Sequence, residues 1–115
     1  MYCFNKLKLN SDFRRIYGRG ESFVHPAFVT YAFKNRAHNG IRMGITVSKK
    51  LGGAVARNRA KRVITAAFCE CVDQINTGYD FVFVARTRLL RAKSTEIAAE
   101  MLKHFERAGV LKNDA

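Results

Sequence analysis

The segment from Val47 to Phe68 imposes the strongest constraint on how this chain can fold. Its later part repeats apolar residues at helical spacing, and the pattern predicts a long helix from near Ala54 to about Asn76. The apolar stripe consists of Ala56, Ala60, Val63, Ile64, Ala67, Phe68, Cys71 and Ile75. Such a stripe has to be buried, so we expect this helix to pack against a sheet.

The segments that flank this helix have the composition of β-strands. Residues 22–33 are rich in Phe, Val, Thr and Tyr, and Pro26 interrupts them, which predicts two strands or one bent edge strand. In residues 41–48, Met43, Ile45 and Val47 alternate with Arg42, Gly44 and Thr46, whereas residues 79–85 are almost continuously apolar. We therefore expect a strand at 41–48 and a buried central strand at 79–85.

Two shorter helices are predicted near the ends of the chain. Asn10–Asp12 supply capping side chains to a first helix, which Gly18 and Gly20 are expected to stop. Its apolar positions are Phe13, Ile16 and Tyr17. Ser94 is expected to cap a last helix, and the polar tail after Gly109 is expected to fray. The apolar face of that last helix consists of Ile97, Ala98, Met101, Leu102 and Phe105.

The resulting order of elements is αβββαβα, which predicts an α+β fold. We expect an α-β sandwich in which the helices pack on one side of a four-stranded sheet. A chain of 115 residues, 48% of them hydrophobic, is predicted to form a single domain over residues 1–115. Residues 1–6 contain no apolar run typical of a signal peptide, so we expect a cytoplasmic protein that does not enter a membrane.

The charge of the chain narrows the range of partners. Lys and Arg number 21 against 9 acids, and the formal net charge of +12 favours a polyanion such as nucleic acid. Six cations and no acid occupy positions 49–62: Lys49, Lys50, Arg57, Arg59, Lys61 and Arg62. At about 100° of rotation per residue, Asn58, Lys61, Arg62 and Thr65 fall opposite the apolar stripe, with Arg57 and Arg59 near the two boundaries. Because arginine binds phosphate oxygens in bidentate fashion, this face predicts a surface that binds the phosphates of a nucleic acid.

Neither simple solvation nor membrane binding accounts well for this charged face. A merely solvated helix face usually mixes charges of both signs, and this one does not. A helix that lies on a membrane surface needs large apolar residues such as Trp or Leu on its other side, whereas this stripe combines small alanines with Val, Ile and Phe.

Aromatic residues near the charged helix allow two interpretations. Phe13, Tyr17, Phe28, Tyr31 and Phe33 could form a stacking platform for unpaired bases. Side chains at such spacing are more often part of the core, so the pattern alone leaves both interpretations open.

No catalytic or metal-binding pattern is evident in the sequence. The three histidines are scattered along the sequence, at His25, His38 and His104. The chain also has no paired carboxylates and no nucleophile motif. Cys3, Cys69 and Cys71 lack the spacing of a zinc site or of a disulfide framework, and their role is open. A role in hydrolysis would therefore require the reacting groups to come from elsewhere.

The central segment closely resembles the signature of the bacterial ribonuclease P protein family. The matching residues are Val47–Lys50, Gly52, Ala54, Val55 and Arg57–Arg62. The resemblance extends to Leu9–Phe13, Tyr17, Gly20, Phe28–Tyr31, Tyr79–Val82, Ala85 and Arg86, and so covers nearly the whole chain.

This resemblance implies a fold and an activity. The fold would be an α-β sandwich with an unusual left-handed crossover, similar to a domain of small-subunit ribosomal proteins. The large RNA subunit, with bound magnesium, would cleave precursor tRNA, and the protein alone would hold no cofactor. The implied partners are the catalytic RNA and the single-stranded 5′ leader of precursor tRNA, and not DNA.

The resemblance also assigns roles to matching positions. Phe13, Tyr17 and Tyr31 would line a cleft for the leader, between the first helix and the sheet. The residues that would contact RNA are Lys49, Lys50, Arg57, Asn58, Arg59, Lys61, Arg62 and Arg86. The chain departs from the family at Thr65 and Cys69, where arginine is common, and at Gly53, where asparagine is frequent. We therefore expect fewer phosphate contacts along the second half of the long helix.

The sequence supports three ranked hypotheses. The first is an accessory subunit of an RNA enzyme, the second is a general RNA-binding or ribosome-assembly protein, and the third is a self-sufficient nuclease. The absence of an acid/base constellation makes the third the weakest.

Overall fold

A computed structural model describes residues 4–112 of the chain. The strands are β1 (Asn5–Lys6), β2 (Glu21–Val24), β3 (Phe28–Lys34), β4 (Ile41–Thr46) and β5 (Tyr79–Ala85). The α-helices are α1 (Asn10–Arg19), α2 (Ala54–Cys71) and α3 (Ser94–Ala108). Short 3₁₀ helices span Lys49–Leu51, Val72–Gln74 and Thr87–Arg91.

The strand β5 lies at the centre of a five-stranded sheet of order β1-β4-β5-β3-β2. It pairs parallel with β4 and antiparallel with β3. The two parallel strands are joined through α2, which is the crossover of the fold. The predicted α+β sandwich is confirmed, and the sheet contains one more strand than predicted because the short β1 pairs with the edge of β4.

Helices cover both faces of the sheet, so the expectation that all of them lie on one side is wrong. Phe81 and Phe83 of β5 pack with Phe68 of α2 and Phe105 of α3 in the larger core cluster. Val82, between those two phenylalanines, packs with Ile16 of α1 and with Leu7 in a second cluster. Phe81, Val82 and Phe83 have no exposed surface. A strand that is apolar on both faces has to be covered on both, and this requirement places α1 opposite α2 and α3.

Several predicted helix ends also differ from the structure. The residue that precedes α1 is Leu9, with no side-chain cap, and Asp12 lies inside the first turn, where it pairs with Arg42. Gly18 lies within α1, and α3 follows Lys93, so that Ser94 is its first residue and not its cap. The helix α2 ends at Cys71, where a 3₁₀ helix takes over, rather than near Asn76.

The tail after Gly109 is tied to the body as far as the structure describes it. Val110 is buried, its carbonyl accepts the Asn76 amide, and the Lys112 amide donates to the Gln74 carbonyl. The expected fraying is therefore wrong for residues 110–112, and residues 113–115 and Cys3 lie outside the described residues.

A buried carboxylate connects the sheet to the loop that precedes β4. Arg42 Nε donates to Asp80 Oδ1 at 2.9 Å, and Arg42 Nη2 donates to Oδ2 at 2.7 Å. Asn35 and His38 each donate a further hydrogen bond of 2.8 Å to Asp80. Burial by itself would raise the pKa of the Asp80 carboxyl, but these hydrogen bonds outweigh burial and hold the pKa below its ordinary value.

The Arg42 guanidinium also lies 3.6 Å from Asp12 of α1.

We expect Asp80→Asn to lower the free energy of unfolding by about 2–3 kcal/mol, because it leaves the half-buried Arg42 without its main partner. Urea unfolding measures this effect, and Asp73→Asn, at an exposed position, is the matched control. Equal stability of the two variants would show that the Asp80 network contributes nothing to the fold.

A second buried polar pair lies between the sheet and α3. The Thr30 hydroxyl and His104 Nδ1 are hydrogen-bonded at 2.8 Å, and both residues are buried. Burial, with smaller contributions from His25 and Arg107, lowers the pKa of His104 from 6.5 to about 4, while Glu100 opposes the shift. His104 is therefore neutral in the folded chain at neutral pH.

This pair predicts a loss of stability in mild acid. Between pH 6.5 and about 4 the unfolded chain takes up a proton at His104 that the folded chain does not, so the free energy of unfolding decreases as the pH is lowered. At pH 5 this decrease amounts to about 2 kcal/mol, since each pH unit below 6.5 contributes ~1.4 kcal/mol. Urea unfolding at pH 7.5 and pH 5 should show a smaller difference for the double variant Thr30→Val/His104→Leu than for the original chain. An identical pH dependence would contradict the assignment to His104.

Candidate nucleic-acid interface

One face of α2 packs on the core and the other carries the predicted cations. The buried residues of α2 are Ala60, Val63, Ile64, Ala67, Phe68 and Cys71. Arg59, Lys61 and Arg62 are exposed, and Arg57 is half-buried. We call these four cations, together with the exposed Asn58, the cationic ridge.

No carboxylate within residues 4–112 neutralises the cationic ridge. The first turn of α2 contains no acidic residue, and within residues 4–112 none of the ridge cations forms an ion pair. The buried Nε of Arg57 has no hydrogen-bond partner among the described residues. Cations at the start of a helix also oppose the helix dipole. The ridge is therefore an electrostatically unfavourable arrangement that an external anion would relieve.

The residue before α2 explains part of this excess of positive potential. Gly53 precedes the helix with φ −79° and ψ −168° and provides no side-chain cap. An asparagine is well suited to this position, and its side-chain oxygen would accept a backbone N–H of the first turn. The neighbouring Gly52 has φ +123°, so glycine is required there. The departure from the family at Gly53 is thus compatible with the fold but leaves the start of α2 uncapped.

Lys49 and Lys50 form a short exposed turn next to the cationic ridge. They begin the 3₁₀ helix that Leu51 anchors in the core. That turn follows β4 directly, at the edge of the sheet where the parallel strands β4 and β5 both end. Arg86, which is exposed, follows β5 at the same edge. The topology therefore collects the predicted RNA-contacting residues at one edge of the sheet.

Three aromatic residues form a cleft on the opposite face of the sheet. The rings of Tyr17 and Tyr31 meet edge to face with 4.9 Å between centroids, and Phe13 lies 6.5 Å from Tyr17. The Tyr17 hydroxyl is hydrogen-bonded to the hydroxyl of Thr46, at the end of β4. Tyr17 keeps 37% of its surface exposed, and the other two rings are half-buried. The structure thus brings together all three residues predicted for the cleft.

The open groove beside these rings contains residues that sequence reasoning missed. It is lined by Asn10, Phe13, Arg14, Tyr17, Ile45 and Thr46. Arg14 could have been found, because it lies three residues before Tyr17 and so on the same side of the helix. Thr46 could not, since its position depends on the packing of α1 against β4.

Phe28 does not belong to the aromatic cleft. It is fully buried in the larger core cluster, on the face that carries α2 and α3. Side chains alternate along a strand, so Phe28 and Tyr31, three residues apart on β3, point to opposite faces. Phe33 is half-buried and packs against the second cluster. Of the five aromatics with spacing suited to stacking, Phe28 is therefore a core residue.

The histidines have structural partners. His25 Nδ1 accepts the Ala27 amide, His38 donates to Asp80, and His104 pairs with Thr30. Within residues 4–112, no three His, Cys, Asp or Glu side chains converge in a way that could hold a metal ion. In the same part of the chain, no helix has the length and hydropathy needed to span a membrane.

The chain is similar to known proteins along nearly its whole length. The family model described as Ribonuclease P matches residues 1–109. The chain belongs to the ribonuclease P protein family. It is 37% identical to the ribonuclease P protein component of Listeria welshimeri over 93% of this chain and 90% of the relative.

Solved structures of ribonuclease P proteins share the fold. The protein from Staphylococcus aureus superposes with a TM-score of 0.80 at 34% identity, covering 93% of this chain and 97% of its own. The protein from Thermotoga maritima gives a TM-score of 0.77 at 30% identity, covering 90% and 96%. This chain is accordingly a bacterial ribonuclease P protein subunit, as the central signature predicted.

The cleft depends on a glycine beneath the ring of Phe13. A Cβ atom at Gly44 of β4 would lie 2.5 Å from Phe13 Cζ, whereas one at Gly18 would meet nothing within 4 Å. We expect Gly44→Ala to displace the ring and lower the free energy of unfolding by about 1–3 kcal/mol. Gly18→Ala, inside α1, should raise it by about 0.5–1 kcal/mol. Thermal or urea unfolding measures both, and a stabilising Gly44→Ala would contradict this packing.

Proposed function

We propose that this subunit binds the catalytic RNA of ribonuclease P and the 5′ leader of precursor tRNA, and so assists removal of the leader. The observation that carries this proposal is the cationic ridge, which has no carboxylate partner among the described residues and lies at the same sheet edge as one end of the aromatic cleft. Phosphates of a folded RNA supply the missing negative charge, and arginine side chains bind them in bidentate fashion.

The two surfaces suit two different RNA ligands. The ridge and the Lys49–Lys50 turn offer charge and hydrogen-bond donors, which recognise backbone phosphates without regard to sequence. The cleft offers aromatic rings beside Arg14, a combination typical of single-stranded RNA binding. A single-stranded leader that leaves a phosphate-rich RNA fold therefore matches this combination.

Bond scission is assigned to the RNA partner in this proposal. Magnesium bound by that RNA would supply the metal chemistry, and the protein's part is to hold and orient RNA. Because the described histidines have structural partners, none of them is available as an obvious general base. We also propose a cytoplasmic location, where precursor tRNA is processed in bacteria.

Reconstitution tests the proposal directly. The chain alone, the cognate catalytic RNA alone and their mixture are incubated with precursor tRNA at low magnesium. The proposal predicts cleavage only in the mixture. A mixture no better than the RNA alone would favour a general RNA-binding protein, and efficient cleavage by the chain alone would favour a self-sufficient nuclease.

The salt dependence of binding tests the cationic ridge. We expect Arg59→Ala or Lys61→Ala to weaken binding to all RNA sequences and to lower the slope of log affinity against log salt by about 0.7–0.9 per lost phosphate contact. Lys34→Ala, an exposed cation at the far end of β3, is the control and should leave the slope unchanged. Unchanged slopes in both ridge variants would remove these residues from the list of contacts.

The role of the cleft is tested with substrates that differ only in the leader. We expect Tyr31→Ala to cost on the order of 1–3 kcal/mol of binding to precursor tRNA and nothing with leaderless tRNA, because it removes a stacking ring. Tyr31→Phe keeps the ring and should retain binding. An equal loss with both substrates would indicate a packing defect, since Tyr31 also contacts Tyr17.

A further inference from the structure

A second group of cations follows β5, outside the signature segment. Residues 86–93 contain four cations and no acid: Arg86, Arg88, Arg91 and Lys93. All four are exposed, and we call them the basic strip. The family model matches residues 1–109, but of these four cations only Arg86 is among the individual residues that carry the resemblance to the family. The other three cations therefore need their own explanation.

The basic strip is held rigidly on the body of the protein. It spans the 3₁₀ helix Thr87–Arg91, in which Leu89 has no exposed surface. The Arg86 amide donates to the Ala27 carbonyl at 3.0 Å, at the turn between β2 and β3. Its charges are therefore presented on a fixed frame, which reduces the entropy that binding would cost.

A side chain of the cationic ridge connects the two basic surfaces. Arg59 Nε donates to the Leu90 carbonyl at 3.1 Å, while Arg59 itself stays exposed. Arg59 of the ridge therefore contacts the backbone of the 3₁₀ helix that carries the strip. An RNA backbone bound along the ridge would reach the strip without crossing an uncharged gap.

Nearby carboxylates do not neutralise the basic strip. Arg88 and Arg91 line a groove that is also lined by Glu96 and Glu100. Glu100 pairs with Lys103 at 3.2 Å and lies 3.8 Å from His25. Glu96 lies in the first turn of α3, where a carboxylate interacts favourably with the helix dipole. Within residues 4–112, no cation of the strip forms an ion pair with either glutamate.

The geometry of the strip suits a phosphate backbone and not a membrane. Residues three apart in a 3₁₀ helix lie on the same side, about 6 Å apart along the axis, so Arg88 and Arg91 point the same way. The leucines of this helix, Leu89 and Leu90, are buried and half-buried. A membrane-surface helix would need such leucines exposed so that they insert into the lipid, and this 3₁₀ helix does not expose them.

We propose that the basic strip is a second binding surface for RNA phosphates, continuous with the cationic ridge through Arg59. This inference rests on the proposed function, because it takes RNA as the partner. The phosphates belong either to the catalytic RNA or to precursor tRNA, which share this chemistry.

The experiment compares two double variants of equal charge. Arg88→Gln/Arg91→Gln removes two cations of the strip. Lys34→Gln/Arg36→Gln removes two exposed cations, one at the other end of β3 and one just after it. The strip begins beside Phe28, which pairs with Ala85, so the two pairs are separated by about 20 Å at ~3.3 Å per strand residue. Because each variant loses two positive charges, any effect of net charge alone is the same in both.

Binding is measured as a function of salt in separate arms with the catalytic RNA and with precursor tRNA. The strip variant is expected to lose about 1.4–1.8 from the salt slope and to bind roughly ten-fold more weakly near 0.15 M salt, in at least one arm. The arm that loses affinity identifies the source of the phosphates. Arg88→Lys/Arg91→Lys keeps the charges and should retain most of the slope.

Two results would overturn the inference: an unchanged slope for the strip variant in both arms, or an equal change for the Lys34→Gln/Arg36→Gln control. Urea unfolding of each variant shows whether a loss of binding reflects a loss of fold. If the Gln variant of the strip is unfolded, the salt slope of Arg88→Lys/Arg91→Lys is the test instead. The original chain and Lys61→Ala are measured alongside. If Lys61→Ala weakens binding and the strip variant does not, only this inference fails; if the original chain binds neither RNA, the proposed function fails.

Discussion

Burial of β5 on both faces is the constraint on which the rest of the structure depends. Phe81 and Phe83 pack against α2 and α3, and Val82 packs against α1. Because one strand supports both layers, the helix that carries the cationic ridge and the helix that carries the cleft aromatics are fixed relative to each other. Parallel pairing of β4 with β5 then places the end of the cleft, the start of α2 and the basic strip at one edge of the sheet.

The electrostatics of that edge support the proposal of an anionic partner. The net charge of +12 is not spread evenly, since the ridge and the strip contain no acid, whereas the Asp80 network and α3 hold carboxylates in ion pairs. Uncompensated cations at a helix start oppose the dipole and reduce the stability of the chain alone. In the proposed function, bound RNA would offset this cost, because the lysines and arginines would neutralise its phosphates and release the counterions condensed on them.

Elements with a strong local pattern could be predicted from the sequence, and contacts between distant segments could not. The α2 stripe has helical periodicity and the β5 run is almost continuously apolar, so both elements could be predicted with their buried residues. Asp12 looked like a capping residue because its partner Arg42 lies thirty positions away and no local pattern shows the pair. The hydrogen bond from Arg59 to Leu90 could not be predicted for the same reason. The burial of Phe28 could have been predicted, because side chains alternate along a strand and this already places Phe28 and Tyr31 on opposite faces.

The most direct test of the RNA-binding role replaces all four cations of the cationic ridge, Arg57, Arg59, Lys61 and Arg62, with glutamine. Affinity for the catalytic RNA is then measured near physiological salt, after unfolding experiments have shown that the variant folds. We predict a loss of affinity on the order of a hundred-fold or more, because about four phosphate contacts disappear. A folded variant that binds the RNA as tightly as the original chain would contradict this role.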